Sequence, residues 1–316
     1  MGVYLNKVSL DALQHQIKHE MALDSGFALY EKSLTFTNTP ILEGMVSLPV
    51  LQEMSVDNSG GISDFVESLT KTYKGNYAVR AQGSNDIGNI GLASKITAIQ
   101  IYSHMSQTNW TEDELQKASQ NGINLLQDKM AAAVRIYEEE IEHYSLLGAD
   151  KDGVQIKGVA SYVASPSTIA GVGALSGVAL ETAVVNAIKL QAATVSYIPA
   201  YMADLVVVSA KFLMLLSTTS FNSANGSNIT VLESLRQKFP SIKFVASAFL
   251  DASVAGIDKM MIISTSPESG AIRLPRPWQV SPTSTVGFRS HIEFNYRFGG
   301  FDLIKDGAVS VFNITY

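Results

Sequence analysis

The chain has 316 residues, of which 46% are hydrophobic and 16% are charged, a composition typical of a globular protein with one large or two moderate domains. Its net charge of −6 argues against a surface that grips nucleic acid by counterion release, and the absence of cysteine excludes disulfides and thiolate sites. The most apolar windows, 169–180 and 198–216, are too short for a membrane span or are interrupted by Pro199, Asp204 and Lys211, and the first residues lack the apolar core of a secretory signal.

The first 100 residues predict an arm followed by a long loop. In the arm, residues 1–39, four apolar side chains share one face of a short helix that needs a surface to lie on: Leu10, Leu13, Ile17 and Met21. From 40 to 100 the pattern changes to strands and turns, and GMVSLPVLQEM and KITAIQIYSHM are interpreted as extended. Glycines recur between them at 60, 61, 75, 83, 88 and 91. This pattern predicts an extended loop or hairpin with little core of its own.

The next segment predicts one long helix over 111–147. Thr111 and Glu114 have the spacing of a capping box, and Gly148 supplies a residue that leaves a helix in the left-handed conformation. Between these ends, apolar or small residues recur at helical spacing, including Leu125, Ala133 and Ile141. Such a helix is roughly 55 Å long. It is interpreted as a spine.

The second half of the chain predicts a compact α/β unit and a strand-rich tail. After a turn at DKDGVQIKG, helices and strands alternate: ETAVVNAIKLQAAT is a helix, DLVVVSA a buried strand, TVLESLRQKF a helix that Pro240 ends, and KMMIIST a strand. The tail from 284 to 316 is rich in strand-forming residues. Gly299 and Gly300 predict a bulge or sharp bend within it.

The order of these parts resembles the major capsid protein fold of tailed bacteriophages, the Hong Kong ninety-seven type, which encapsulin nanocompartments also use. The stretches that carry the resemblance are 110–148, TVLESLRQKFPSIKFVASAFL with GIDKMMI, and FNYRFGGFDLIKDGAVSVFNI. The resemblance implies an α+β fold with five parts: an N-terminal arm at 1–39, an extended loop with adjoining strands at 40–100, a peripheral domain at 101–160 with the spine helix, an axial domain at 161–284, and C-terminal strands at 285–316 that return to the peripheral domain.

The resemblance also implies a function. A capsid protein of this kind self-assembles as pentamers and hexamers into an icosahedral head shell around double-stranded DNA, in the virion capsid, after assembly in the cytoplasm of a bacterial host. The expected partners are further copies of the chain, a separate scaffolding protein, a portal and possible decoration proteins, with weak non-specific contact to packaged DNA and no membrane. Deleting 46–90 is expected to give a folded chain that does not assemble. The alternatives are an encapsulin-like compartment and, more distantly, a soluble metal- or cofactor-dependent enzyme.

The enzyme alternative depends on weak motifs. Glu140 and His143 have the Glu-x-x-His spacing of di-iron bundles, but no second pair accompanies them, which favours a solvated acidic turn with a histidine near the helix end. His15 and His19 lie four residues apart, but Glu20 lies outside them, unlike the zinc-protease order, which favours ordinary surface histidines.

Glycines 171, 173 and 177 are similar to a dinucleotide-binding loop, but the third glycine comes one residue late and no clear strand precedes it, which favours helix packing or a hinge. The chain contains neither a Gly-x-Ser-x-Gly elbow nor a Walker A motif. We therefore predict no catalytic, cofactor-binding or metal-binding residue.

Two further groups relate to assembly. Trp278, with Arg273 and Arg276 nearby, could be an interface anchor or could equally cover the edge of a local core. Lys74 and Asn76 lie in the loop, where some capsids of this fold form lysine–asparagine crosslinks, but no matching motif surrounds them and no crosslink is assigned.

Overall fold

The computed structural model describes residues 49–75, 90–120, 124–151, 153–221 and 229–316, and shows an α+β fold. Its helices are α1 (Pro49–Glu53), α2 (Glu112–Gln120), α3 (Leu125–Leu147), α4 (Gly177–Thr194), α5 (Ala210–Thr218), α6 (Val231–Lys238) and α7 (Ala252–Ala255), with short 3-10 turns between some of them. Its strands are β1 (Val56–Asp57), β2 (Phe65–Gly75), β3 (Ile90–Gln100), β4 (Tyr102–Thr111), β5 (Ala149–Lys151), β6 (Val154–Ile156), β7 (Ser167–Ile169), β8 (Leu205–Ser209), β9 (Lys243–Ser247), β10 (Asp258–Ile263), β11 (Gly270–Arg273), β12 (Arg276–Val280), β13 (Ser284–Val286), β14 (Arg289–Phe298), β15 (Gly300–Leu303) and β16 (Val309–Ile314).

A five-stranded mixed sheet with the order β7-β16-β10-β8-β9 forms the centre of the α/β part. Strand β10 is antiparallel to both β8 and β16, whereas the outer strands β9 and β7 are parallel to their neighbours. All five residues of β8 are buried, as expected for a strand covered on both faces.

Side-chain alternation along these strands divides the apolar core into two clusters, one on each face of the sheet. Val206 and Val208 of β8 face helices α4, α5 and α6, together with Met260, Ile262 and Phe312. Leu205 and Val207 face the other way and pack with Ile141 and Leu146 of α3 and with residues of β11, β14 and β15. The sheet is therefore shared by both cores.

A second sheet lies beside α3. Strand β14 pairs along its full length with β4 on one edge, and with β12 and β13 on the other. Trp110, Ile292 and Phe294 point from this sheet toward Leu126 and Ala133 of α3. Three smaller units complete the fold: the three-stranded sheet β1-β11-β15 and the hairpins β2-β3 and β5-β6.

The spine helix is interrupted, so the prediction of one helix over 111–147 is wrong. Helix α2 ends at Gln120, and α3 begins after Asn124, whose side chain accepts a hydrogen bond from the backbone N–H of Gln127. Asparagine is among the strongest N-cap residues, and its local bond competes with continuation of a helix. The two predicted ends are confirmed: Thr111 and Glu114 exchange capping-box bonds, and Gly148 follows α3 with φ of 79°.

Of the two segments interpreted as extended, the first is wrong in part and the second is confirmed. Within GMVSLPVLQEM, residues 49–53 form α1 rather than a strand; proline is well tolerated in the first turn of a helix because it has no N–H to leave unpaired. The segment KITAIQIYSHM is divided at Ile101 between β3, which belongs to the β2-β3 hairpin, and β4, which pairs with β14.

The predicted return of 285–316 to the peripheral domain stays a prediction. Within this tail, β14 pairs with β4 next to the spine, whereas the last strand lies in the five-stranded sheet. Strand β16 pairs with β10 and β7 in the five-stranded sheet, and β11 and β12, which precede residue 285, lie in the other two sheets. The predicted bend lies between the β4-β14 sheet and the β1-β11-β15 sheet. Gly299 follows β14, and Gly300, with φ of 86°, begins β15. A Cβ at Gly300 would lie 2.3 Å from the carbonyl oxygen of Lys157, so only glycine fits there.

In the described part of the chain, no helix is both long enough and apolar enough to cross a bilayer. The predicted arm and its histidines, and the tip of the loop, lie outside the described residues.

Candidate assembly surfaces

The β2-β3 hairpin is the most extended part of the described chain. Its two strands have 11 residues each and pair in continuous antiparallel register from Phe65 opposite Gln100 to Gly75 opposite Ile90. The rest of the described chain adds no third strand to it. An antiparallel pair of this kind has little stability in isolation, because one of its faces must be covered.

One face of the hairpin carries large apolar side chains. Because opposite residues point to the same side, the register places Phe65, Leu69, Leu92 and Ile96 on one face. Each of the four is between 54% and 63% exposed. On the other face, Val66 and Ile99 are buried with Ile101 at the base. We call the four exposed residues the hairpin stripe; it is an apolar surface that the described part of its own subunit does not cover.

The base of the hairpin is held by Arg273 of β11. Its guanidinium donates to Asp302 of β15, at 2.6 and 3.0 Å, to Ser68 of β2 at 2.5 Å, and to Asp57 of β1. Ser68 also donates to Asp302 over 2.6 Å. Arg273 and Asp302 are both buried, and a buried charge of this kind requires its partner. The network therefore ties β2 to the β1-β11-β15 sheet.

A second arginine, Arg297 of β14, holds the segment that leads into the hairpin. It donates to the carbonyl oxygen of Ile62 and, over 2.5 Å, to a carboxylate oxygen of Asp64. The carbonyl of Asp64 in turn accepts from the N–H of Ile101, at the end of β3, over 2.8 Å. Two buried arginines thus fix the direction in which the hairpin leaves the body of the subunit.

Helix α3 is joined to the β4-β14 sheet by Glu140. One of its carboxylate oxygens lies 3.3 Å from Nδ1 of His104, and the other accepts from the hydroxyl of Tyr296 over 2.5 Å. The rings of His104 and Tyr296 stack with centroids 4.7 Å apart. Burial opposes the charge of Glu140, but the hydrogen bonds with His104 and Tyr296 outweigh it, and the pKa of Glu140 is lowered below its usual value.

The acidic turn around Glu140 is not solvated as predicted. Glu142 is only 1% exposed, accepts a hydrogen bond from the Ser247 hydroxyl over 2.8 Å, and has a pKa that burial raises above its usual value. His143 does not pair with Glu140 in a metal-binding arrangement; its ring packs against Phe249 and Tyr144, and burial lowers its pKa. Among the described residues, no group of three potential ligands could hold a metal ion.

The glycines at 171, 173 and 177 have separate structural roles. Gly171 has φ of 65° and precedes a 3-10 turn, and Gly177 begins α4. A Cβ at Gly177 would lie 2.0 Å from the backbone oxygen of Ser220, so the glycine allows close packing at the start of the helix. A short strand, β7, does precede this segment, contrary to the sequence prediction.

Trp278 covers the edge of a core in its own subunit: its ring stacks on Phe294 with centroids 5.2 Å apart and lies 6.4 Å from that of Tyr137. Arg273, considered with it as an interface residue, is instead internal, and Arg276 bonds to Gln279 over 2.6 Å. Lys74 lies in β2, and Asn76 lies outside the described residues.

Sequence reasoning missed His104, Arg297 and Asp302. A signal exists for two of them, because Arg297 and Asp302 are charged residues within strands whose neighbours Phe298 and Phe301 are buried. Inward charges in such strands indicate an internal ion pair. No comparable signal identifies His104, whose partner is 36 residues away.

The family model described as major capsid protein matches residues 76–312, well over half of the chain. A comparison with curated proteins finds no match. Among solved structures, the fold is similar to the capsid of Myoviridae phage XM1, with a TM-score of 0.76 and 27% identity over 87% of this chain and 94% of that chain.

Two more distant structures have the same fold. Mycobacterium phage Bobi matches with a TM-score of 0.64 and 15% identity over 88% of this chain and 93% of that chain. The capsid of the native GTA particle matches with a TM-score of 0.60 and 10% identity over 88% of this chain and 94% of that chain. These matches do not favour the encapsulin-like alternative. The chain therefore belongs to the major capsid protein family and is a structural subunit of a homo-oligomeric capsid shell.

Proposed function

We propose that the chain forms the pentamers and hexamers of an icosahedral head shell that encloses the double-stranded DNA of a tailed phage, and that the shell assembles in the cytoplasm of a bacterial host. Its role is structural, without a catalytic site. The observation that carries this proposal is the hairpin stripe: a long, rigidly based hairpin presents four large apolar side chains that the described part of its own subunit leaves exposed.

In a shell, the stripe packs on the neighbouring subunit. Burying a large apolar side chain stabilises a contact by roughly 1.5–3 kcal/mol before the entropy of association is subtracted, so the four side chains give a moderate contact. Each subunit offers one hairpin and receives another. A closed shell repeats this contact many times, and the repetition makes the whole stable although each contact is modest.

The division into domains fits this arrangement. We assign α2, α3 and the β4-β14 sheet to the peripheral domain, and the five-stranded sheet with α4, α5 and α6 to the axial domain. We place residues 1–39, the predicted arm, across neighbouring subunits.

Further partners follow from the same proposal. A separate scaffolding protein guides shell size, a portal occupies one vertex, and decoration proteins can bind outside. The net charge of −6 favours a wall that contacts packaged DNA only weakly.

The test compares shell formation by three forms of the chain: wild type, L69D/I96D and A93D. Leu69 and Ile96 are opposite each other in the stripe, whereas Ala93 is exposed on the other face of the same hairpin, so A93D controls for added charge. Each form is expressed alone and with the neighbouring head genes, then examined by electron microscopy and light scattering. We expect closed shells from wild type and A93D, and soluble folded subunits from L69D/I96D. Normal shells from L69D/I96D would contradict the role of the stripe, and a wild-type chain that remains monomeric under every condition would contradict the shell proposal itself.

A further inference from the structure

A groove with a volume of about 710 Å³ lies between strand β7 and helix α4. It is lined by Ile169 of β7 and Phe312 of β16, and by the side of α4, where the small side chains of Ala179 and Ala183 leave room. Leu190, near the end of α4, also lines it and is 52% exposed. We call this cavity the edge groove. Its volume is that of a site for a small organic ligand, and it is large enough for the side chains of a short peptide.

The outer edge of β7 lies along the edge groove. Strand β7 is the last strand of the five-stranded sheet and pairs in parallel with β16, and no other described strand pairs with it. The carbonyl oxygen of Ile169 accepts from the N–H of Thr315 on the β16 side. Because alternate residues of a strand direct their backbone groups to opposite sides, those of Thr168 and Ala170 are directed to the outer edge. Such an edge is a template for a further strand.

The N-terminal arm joins the body at the opposite edge of the same sheet. The described residues begin at Pro49, so 48 residues precede helix α1. Helix α1 packs against β9, and Glu53 of α1 pairs with Lys243 of β9. Strands β9 and β7 are the two outer strands of the sheet, roughly 19 Å apart at the usual spacing of neighbouring strands.

A segment of the arm has the sequence pattern of a strand. In SLTFTNT, residues 33–39, Leu34 and Phe36 alternate with threonines, and Pro40 follows. Threonine and phenylalanine favour strands, and the alternation places Leu34 and Phe36 on the same side. Paired with β7, this segment would direct both apolar side chains into the edge groove. In such β-strand addition, main-chain hydrogen bonds give affinity and pockets for alternate side chains give specificity.

The geometry favours the groove of a neighbouring copy over the groove of the same subunit. Residues 40–48 link the segment to α1 and span at most about 30 Å when extended. A path to the groove of the same subunit would have to pass around the sheet, because both faces of the sheet are covered by packed cores. Subunits that follow one another around a ring meet through different surfaces. With the β9 edge of one copy facing the β7 edge of the next, the arm reaches the second groove directly.

We propose that residues 33–39 of one subunit add a strand to the outer edge of β7 in the next subunit of the ring, and that Leu34 and Phe36 fill the edge groove there. This inference rests on the proposed shell function, in which the arm lies across neighbouring subunits, and it names the surface that receives the arm. That surface is distinct from the hairpin stripe.

The absence of cysteine from the chain permits a direct test by crosslinking. Asn38→Cys places a thiol on the same side of the segment as Leu34 and Phe36, and Asn186→Cys places one in the edge groove. The two variants are co-expressed, one with a longer tag, and their shells are treated with a short bis-maleimide. We expect crosslinked heterodimers, and few when Asn186→Cys is replaced by Met214→Cys, at a position on α5 that is 68% exposed. Heterodimers no more abundant than in this control would overturn the proposal, including the case in which crosslinks form only within one chain.

Assembly of charged variants provides an independent measurement. L34D/F36D is expected to reduce the yield of closed shells at least tenfold, because it places two charges in an apolar groove, whereas T35D/T37D adds the same charges to the other side of the segment and retains shells. The thermal midpoint of unassembled L34D/F36D should equal that of wild type, because the segment binds another subunit.

Each contrary result has a definite meaning. Equal yields of shells from L34D/F36D and T35D/T37D would overturn the inference while the proposed function stands. A lower midpoint for unassembled L34D/F36D would assign the segment to its own subunit and would overturn the inference as well. Failure of the wild-type chain to form shells under every condition would overturn both.

Discussion

At the scale of single residues, the buried Arg273 joins its own strand, β11, to β1, β2 and β15. It bonds to Asp302, Asp57 and Ser68. Asp302 is 1% exposed, so removal of the arginine leaves its carboxylate buried without the positive charge that balances it. We expect Arg273→Met to lower the free energy of unfolding by about 3–5 kcal/mol in urea titrations of the unassembled chain. Arg276→Met is the matched control and should change it by no more than about 0.5 kcal/mol, because within the described residues the Arg276 side chain bonds only to Gln279. Equal effects of the two substitutions would contradict an internal role for Arg273.

Two glutamates on α3 should respond to pH in opposite directions. The pKa of Glu142 is raised from 4.5 by burial, so the unfolded chain releases this proton at a lower pH than the folded chain. The cost of Glu142 to stability therefore develops as the pH rises from about 4.5 to the raised value, and it is complete above that value. The pKa of Glu140 is lowered from 4.5, so Glu140 contributes stability above that value, and the contribution is lost as the pH falls through the folded pKa.

We therefore expect Glu142→Gln to raise the thermal midpoint at pH 7 and Glu140→Gln to lower it. The difference for Glu142→Gln should shrink as the pH falls toward about 4, because Glu142 then becomes protonated in both states. The difference for Glu140→Gln should shrink only at lower pH, as the pH falls through the lowered pKa of folded Glu140. Thermal unfolding of the three proteins between about pH 2 and pH 8 checks this pair of signs. A lower midpoint for Glu142→Gln at pH 7 would show that the bond with Ser247 outweighs the cost of burial.

At the scale of elements, the start of α4 depends on a glycine for its packing. We expect Gly177→Ala to destabilise the chain by about 1–3 kcal/mol, because the added Cβ would lie 2.0 Å from the backbone oxygen of Ser220 and either the helix or that segment must shift. Gly173→Ala is the control, since its Cβ would lie 3.9 Å from the nearest atoms, those of Tyr316. Urea unfolding distinguishes the two, and a neutral Gly177→Ala would mean that the segment at Ser220 yields easily.

The elements that could be predicted from sequence are those with strong local signals. The capping box at Thr111, the buried run of β8 and the helix before Pro240 lie where expected, because their hydrogen bonds and burial follow from neighbouring residues. The interruption of the spine had a local signal as well, since Asn124 is a good N-cap, but the apolar periodicity on both sides concealed it. No local signal indicated where β16 lies, because its pairing with β10 joins segments about 50 residues apart.

The same distinction applies to the assembly surfaces. Glycines and alternating residues predicted the long hairpin, but not which of its faces is exposed, since that depends on the register between β2 and β3. Arg273 was interpreted as an interface candidate because arginine is enriched at interfaces. Its partner Asp302 is 29 residues away, so no local pattern indicated an internal role. Sequence patterns do not show which side chains meet through tertiary contacts, and the hairpin stripe and the Arg273 network both depend on such contacts.

At the scale of the whole molecule, the far part of the β2-β3 hairpin can be removed to test assembly without loss of folding. The removable segment begins later in the chain than residue 46, where the sequence-based deletion begins. Deletion of 46–90 would remove Val50 and Met54 from the main core, and Asp57 and Ser68 from the network of Arg273. Loss of assembly by such a variant would then be confused with loss of folding. Thr70 is opposite Lys95, so replacing 71–94 by Asn-Gly closes the hairpin with a two-residue turn and keeps its base intact.

We expect this shortened chain to fold with nearly unchanged stability and to form no closed shells, because Val66, Ser68 and Ile99 keep their contacts while the far part of the hairpin, including Leu92, is absent. Circular dichroism and urea unfolding check the fold, and electron microscopy with light scattering checks assembly. Closed shells from the shortened chain would mean that the far part of the hairpin is dispensable and that other surfaces hold the shell together. A large loss of stability would mean that the far part also belongs to the folding unit.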